Sequence, residues 1–101
     1  MLVGEPPAAA ARIDGFAGRW LGPEGTFLEI AGVGDKVRIT IRNLDGPRTF
    51  EGTRRGDRIT FVRDEVSEAI RTGSGAQTGM KWLADKSDCL VVRPGEGYCR
   101  D

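Results

Sequence analysis

The chain contains no histidine. That absence removes the Ser-His-Asp triad, the imidazole general base and every His-containing metal site in one step. Net charge is also missing: 15 Lys and Arg offset 15 Asp and Glu. No long-range field therefore draws the chain to nucleic acid or to an anionic membrane. The one asparagine, in Asn43-Leu44-Asp45, is no glycosylation acceptor. No apolar run could span a bilayer, and residues 1–7 hold none long enough for a signal peptide. Leu2-Val3-Gly4 has the form that precedes a lipoprotein cysteine, but Glu5 stands where that cysteine would be. A mature or trimmed form, whose longer precursor carries an export signal or a lipid anchor, is compatible with this start.

What remains is turn-rich and strand-forming. The 101 residues suit one domain, punctuated by 15 glycines and 5 prolines. Residues 1–12, with Pro6-Pro7 and a short alanine run, read as a disordered arm or tether ahead of a single domain over 13–101. From Gly15 onward apolar residues recur with a period of two. Strands are predicted over 17–21, 26–31, 36–43, 48–53, 58–63, 66–72, 80–84 and 89–93. In the third, Val37, Ile39 and Ile41 share one face and Arg38, Thr40 and Arg42 the other. Connections this short force antiparallel neighbours. Eight such strands predict an all-β fold closed as a barrel or packed as a sandwich. The predicted filling is Trp20, Phe27, Leu28, Ile30, Val37, Ile39, Ile41, Phe50, Ile59, Phe61, Val66, Ile70, Leu83, Leu90 and Val92. Strands of this length leave little depth for a cavity.

Two cysteines, Cys89 and Cys99, flank a Pro94-Gly95 turn signal. A reversal there brings them opposite each other, within disulfide reach. Closing so short a loop stabilises by roughly 2–3 kcal/mol. The alternative is two reduced, buried thiols in a cytosolic protein. Two thiolates without histidine lack the remaining ligands of a zinc site, so no metal is expected. A bonded pair implies the periplasm or the outside of the cell.

Phe16-Ala17-Gly18-Arg19-Trp20 opens the first predicted strand and resembles the Gly-X-Trp signature of lipocalins and related calycin barrels. The resemblance favours a small eight-stranded antiparallel up-and-down barrel over the sandwich. It implies that Gly18 and Trp20 mark a barrel-base plug, with an arginine near the last strand packed over the indole. Arg93, at the end of the last predicted strand, takes that role. The chain is shorter than a lipocalin and lacks its C-terminal helix. In layout it is closer to compact bacterial protease inhibitors, eight-stranded barrels with an N-terminal arm. Residues 78–83 and 95–100 also look like small exported bacterial proteins and lipoproteins, a likeness that implies a compartment and no activity.

Few residues carry chemistry. Gly73-Ser74-Gly75 lacks the strand-turn-helix setting of a nucleophile elbow, and Met80 follows Gly79 where a phosphate loop needs lysine. Glu68 falls by alternation between Val66 and Ile70 on the inner face. There it needs a partner such as an inward arginine; otherwise a bulge turns it to solvent. Arg55-Gly56-Asp57 spells an adhesion tripeptide, but any tight hairpin favours Gly-Asp. Arg54, Arg55 and Arg58, with Arg63, are either solvated charges balanced by Glu51, Asp57 and Asp64 or a surface for an anionic partner. Met80-Lys81-Trp82 follows the flexible run 73–79. These residues either form a binding surface at the barrel rim or turn Met80 and Trp82 into the core.

The expectation is an exported, non-enzymatic β-barrel that acts through its surface as a binding or inhibitor module, with no cofactor. Its partner would be another protein or a cell-envelope component, not nucleic acid. The alternative is a lipocalin-type carrier with a small apolar ligand inside the barrel. An enzyme is the disfavoured third reading. The extended arm over 1–12 is a second candidate for partner contact, since ordering a proline-containing segment loses little entropy.

Overall fold

The computed structural model describes residues 16–100, without the side chain at position 33. The arm assigned to 1–12 lies outside the described residues. Eight strands follow in chain order: β1 (Gly18–Leu21), β2 (Phe27–Val33), β3 (Lys36–Asn43), β4 (Gly46–Arg55), β5 (Arg58–Arg63), β6 (Val66–Gly73), β7 (Asp88–Arg93) and β8 (Glu96–Arg100). Each pairs antiparallel with its sequence neighbours, and β1 closes on β8 where Leu21 faces Cys99. The result is a closed up-and-down barrel, compatible with the lipocalin-like expectation. This order sorts the connections to two ends. We call the end with the β2–β3, β4–β5 and β6–β7 connections upper, and the other lower.

Alternation builds the interior. Val37, Ile39 and Ile41 of β3 point inward, as do Leu28 and Ile30 of β2, Ile59 and Phe61 of β5, and Ile70 of β6. Leu90, Val92 and Tyr98 fill the β7–β8 side, and Phe16 and Trp20 complete the same cluster. Each Leu or Ile removed from water here contributes about 1.5–3 kcal/mol. This is enough to hold a small barrel closed around its own side chains.

The count of eight strands stands, but one of them is not where the sequence placed it. No strand forms over 80–84. Residues 74–87 instead leave the barrel as an excursion with two 3-10 turns, Ala76–Thr78 and Lys81–Leu83. The eighth strand is Glu96–Arg100. The excursion is closed on itself, with Gly75 N–H donating to the Lys86 carbonyl at 2.7 Å, and it lies against β7 and β8, where Gly95 N–H donates to the Thr78 carbonyl at 2.8 Å. Thr78 packs so closely on Gly97 that any β-carbon at 97 would overlap it. Beneath this flap Leu83 and Met80 cover the disulfide between Cys89 and Cys99, which are direct register partners. Leu83 therefore fills a small second core outside the barrel, not the barrel itself.

Two other residues assigned to the filling lie elsewhere. Phe27 alternates out of phase with Leu28 and sits on the outer face, under the Arg19 guanidinium at 4.1 Å. Val66 is 53% exposed. It starts β6 directly after the Asp64-Glu65 turn, where both residues take positive φ to reverse the chain, and it flares from the lower mouth. Among the described residues no helix is long and apolar enough to cross a membrane.

Candidate functional site

At the barrel base Trp20 is fully buried, and its indole N–H donates to the Phe16 carbonyl at 2.8 Å. A guanidinium does stack over the ring, at 3.9 Å, but it belongs to Arg100 and not to Arg93. Arg100 is held there by bonds to the Ala17 carbonyl and to Asp88, at 3.0 and 3.1 Å. Gly18 takes φ +108, a conformation that favours glycine, while a β-carbon there would only touch Arg100 Nη1, at 3.6 Å. The correction follows from the misplaced strand. The strand that neighbours β1 is β8, ending in Arg100 at the upper end, whereas Arg93 ends β7 at the lower one.

Arg93 joins an ion-pair cluster that closes the lower mouth. Glu68 is 7% exposed and bonds both Arg93 and Arg63, the latter at 3.0 Å. Arg63 reaches on to Glu96 at 2.7 Å, and the Tyr98 hydroxyl donates to Glu96 at 3.2 Å. Arg48 and Asp64 pair at 2.9 Å on the rim. Arg48, Arg63, Asp64, Arg93, Glu96 and Tyr98, together with Asn43, line an open depression of about 500 Å³. Burial works to raise Glu96, but hydrogen bonds from Arg63 and its charge outweigh it and hold the carboxyl below its usual range. Burial, then the charge and hydrogen bond of Glu96, push the Tyr98 phenol up. Glu96 is thus ionised at neutral pH and saturated with donors, and Glu68 is paired to two guanidinium groups. Both carboxylates fasten strands together through charge-assisted hydrogen bonds.

The residues assigned to a surface do not stay together. Met80 is half-buried over the disulfide, and its Sδ accepts from Gly97 N–H at 3.2 Å. Arg54 is half-buried, with its guanidinium 5.6 Å from the Phe16 ring and its Nε donating to the Gly56 carbonyl at 2.9 Å. Arg55 and Arg58 are exposed at the upper β4–β5 turn, whereas Arg63 belongs to the lower mouth. Lys81 and Trp82 are exposed beside the lower β1–β2 turn, on the opposite side of the barrel from β4 and β5.

Trp82 is 80% exposed. A depression of about 430 Å³ on one side is lined by Lys81, Ala84 and Asp85. Another of about 360 Å³ is lined by Gly22, Pro23, Glu24 and Leu83. Sequence reasoning missed Pro23 and Glu24, because Pro23-Glu24-Gly25 reads as an ordinary turn until the excursion is laid against it. It missed Glu96 and Tyr98 for want of the eighth strand. Among the described residues no group of three or more Cys, Asp or Glu could hold a metal ion. No family model matches the chain, and no curated protein or solved structure is significantly similar to it.

Proposed function

We propose that this chain is an exported, non-enzymatic β-barrel that binds another protein or a cell-envelope component through its outer surface, with Trp82 as the anchor. The observation that carries the reading is the exposure of Trp82 on a pinned turn. Its neighbour Leu83 is buried, the excursion is seated on Gly97 by Thr78, and the disulfide lies directly beneath. An exposed indole on a rigid support presents large contact area without an ordering cost. Such tryptophans typically lose about 2 kcal/mol or more of binding on truncation.

Three further observations support parts of this reading. Trp20, Leu28, Ile39, Ile59, Ile70 and Leu90 are fully buried and converge in the barrel, which favours surface action over a carried ligand. The bonded cysteine pair fits a protein that meets an oxidising compartment, periplasmic or extracellular. The Gly18-Arg19-Trp20 strand beneath a stacked guanidinium supports kinship with calycin barrels, among which inhibitors and lipid-anchored envelope proteins would be the relevant kinds.

The test is capture by the immobilised full chain from periplasmic and solubilised envelope extracts, compared across Trp82→Ser and Arg55→Ser. A partner held by wild type and Arg55→Ser and lost with Trp82→Ser is the expected result. Equal retention by all three removes Trp82 as the anchor. A stoichiometric apolar molecule extracted from the purified barrel would favour the carrier instead.

A further inference from the structure

Resting on that surface reading, we infer that the depression between Trp82 and the Pro23–Gly25 turn receives an arginine side chain from a partner protein. It is lined by Gly22, Pro23, Leu83 and Trp82, with Glu24 as the one charged residue. Glu24 takes part in no ion pair among the described residues. An apolar trough with one carboxylate fits a long methylene stem that carries a cationic head.

The molecule itself shows which head suits its rings. Each of the four phenylalanines and Trp20 lies under an arginine: Phe16 under Arg54, Phe27 under Arg19, Phe50 under Arg48, Phe61 under Arg63 and Trp20 under Arg100. Those distances run from 3.9 to 5.7 Å. Trp82 has no such partner among the described residues, although indole is the ring that binds cations best. A planar guanidinium can stack on the indole face while its fork donates to a carboxylate; a lysine ammonium has neither the planar face nor the paired fork. The volume of about 360 Å³ admits one such side chain.

The two indole N–H groups make the test internally controlled. The Trp20 N–H is buried and bonded to the Phe16 carbonyl, so its NMR resonance serves as the reference. The ¹⁵N-labelled full chain is titrated with acetyl-Gly-Arg-Gly-Arg-Gly-amide, and with the same peptide carrying lysine or uncharged citrulline. The arginine peptide should shift the Trp82 resonance saturably and leave Trp20 in place. The lysine and citrulline peptides should bind at least about fivefold more weakly, and Glu24→Gln should weaken the arginine peptide by a similar factor.

Equal shifts from all three peptides, or an unchanged response in Glu24→Gln, overturn the proposal. If Trp82 ignores the arginine peptide while Trp82→Ser still loses the captured partner, the arginine proposal fails and the surface reading survives. If the peptide binds as expected but Trp82→Ser keeps the partner, the cleft chemistry stands and the surface reading fails.

Discussion

Trp20 has no exposed surface, whereas Trp82 is 80% exposed. Both are near a glycine turn and both follow a basic residue, so composition does not separate them. Their supports do. Trp20 lies on a strand paired on both sides, its N–H is satisfied internally, and Arg100 covers its ring. Trp82 lies on a 3-10 turn outside the barrel, where only its neighbour Leu83 is buried. The contrast teaches that this molecule spends one indole on closing its base and holds the other rigidly in water. The first serves stability, and the second is the anchor of the proposed binding surface.

The widest gap between the two should appear on truncation. Trp20→Ala should cost about 3–5 kcal/mol, because the barrel cannot collapse around the space left. Arg100→Met, which keeps the stem over the ring and removes the charge, should cost about 1 kcal/mol. Arg93→Met should leave the base undisturbed, since Arg93 lies at the opposite mouth. Urea unfolding followed by far-ultraviolet circular dichroism measures all three. A small loss for Trp20→Ala would mean that the base is not closed by this residue.

Much of this base could be read from residue types alone, and the misreading has a single origin. In β3 the alternation Val37, Ile39, Ile41 gives both the strand and its inner face, because only one face of that strand is covered. In β7 the run Cys89-Leu90-Val91-Val92 is buried on both faces, since the excursion covers the outside. A strand buried twice loses its period, and β8, where Gly97 and Cys99 are also covered, reads as little more than a turn and a cysteine. Met80–Leu83 then looks like the missing strand because its apolar residues are real, though they serve the second core. From that one error came the choice of Arg93 over Arg100. The Trp82 cleft was half legible: the residue stood out, while Glu24 and Pro23 reach it from 58 and more positions away in sequence only through the fold.

The support beneath Trp82 can be broken separately from the base. Replacing both cysteines with alanine should cost roughly 2–3 kcal/mol, as expected for a loop closed across ten positions. Because Leu83 and Met80 rest on the disulfide, the same change should loosen the excursion while β2 to β5 stay ordered. Hydrogen exchange resolves this: protection should fall over 74–87 and stay high in Val37, Ile39 and Ile41. Uniform loss of protection would show that the excursion and the barrel unfold as one unit. Thiol labelling of the unfolded, unreduced protein should find no free cysteine.

The lower mouth should respond to pH, and neither tryptophan should. Tyr98 has its phenol pushed up in the folded state, so above its ordinary value of 10.0 the unfolded chain ionises first. Stability should therefore fall as pH rises beyond about 10. Glu96 is held below its ordinary 4.5, so its contribution is present above that value and is lost as pH falls below it, through the folded value. Tyr98→Phe should flatten the alkaline limb and Glu96→Gln the acid one, read from thermal midpoints across pH. Limbs unchanged by either substitution would remove these residues as the cause.

The smallest expected effect is also the most informative. Trp82→Ser should change the unfolding free energy by less than about 0.5 kcal/mol, the range of a surface substitution that breaks no cap, core or buried pair. The residue makes no hydrogen bond among the described residues, and the burial that orders its turn belongs to Leu83 and Thr78. A neutral result leaves the exposed indole without a structural purpose and sharpens the contrast with Trp20. A loss of 1 kcal/mol or more would instead make Trp82 a lid on the second core, and the distinction between a structural and a binding tryptophan would collapse. The same variant, shown to be folded in this way, is the one whose loss of partner capture can be read as lost recognition.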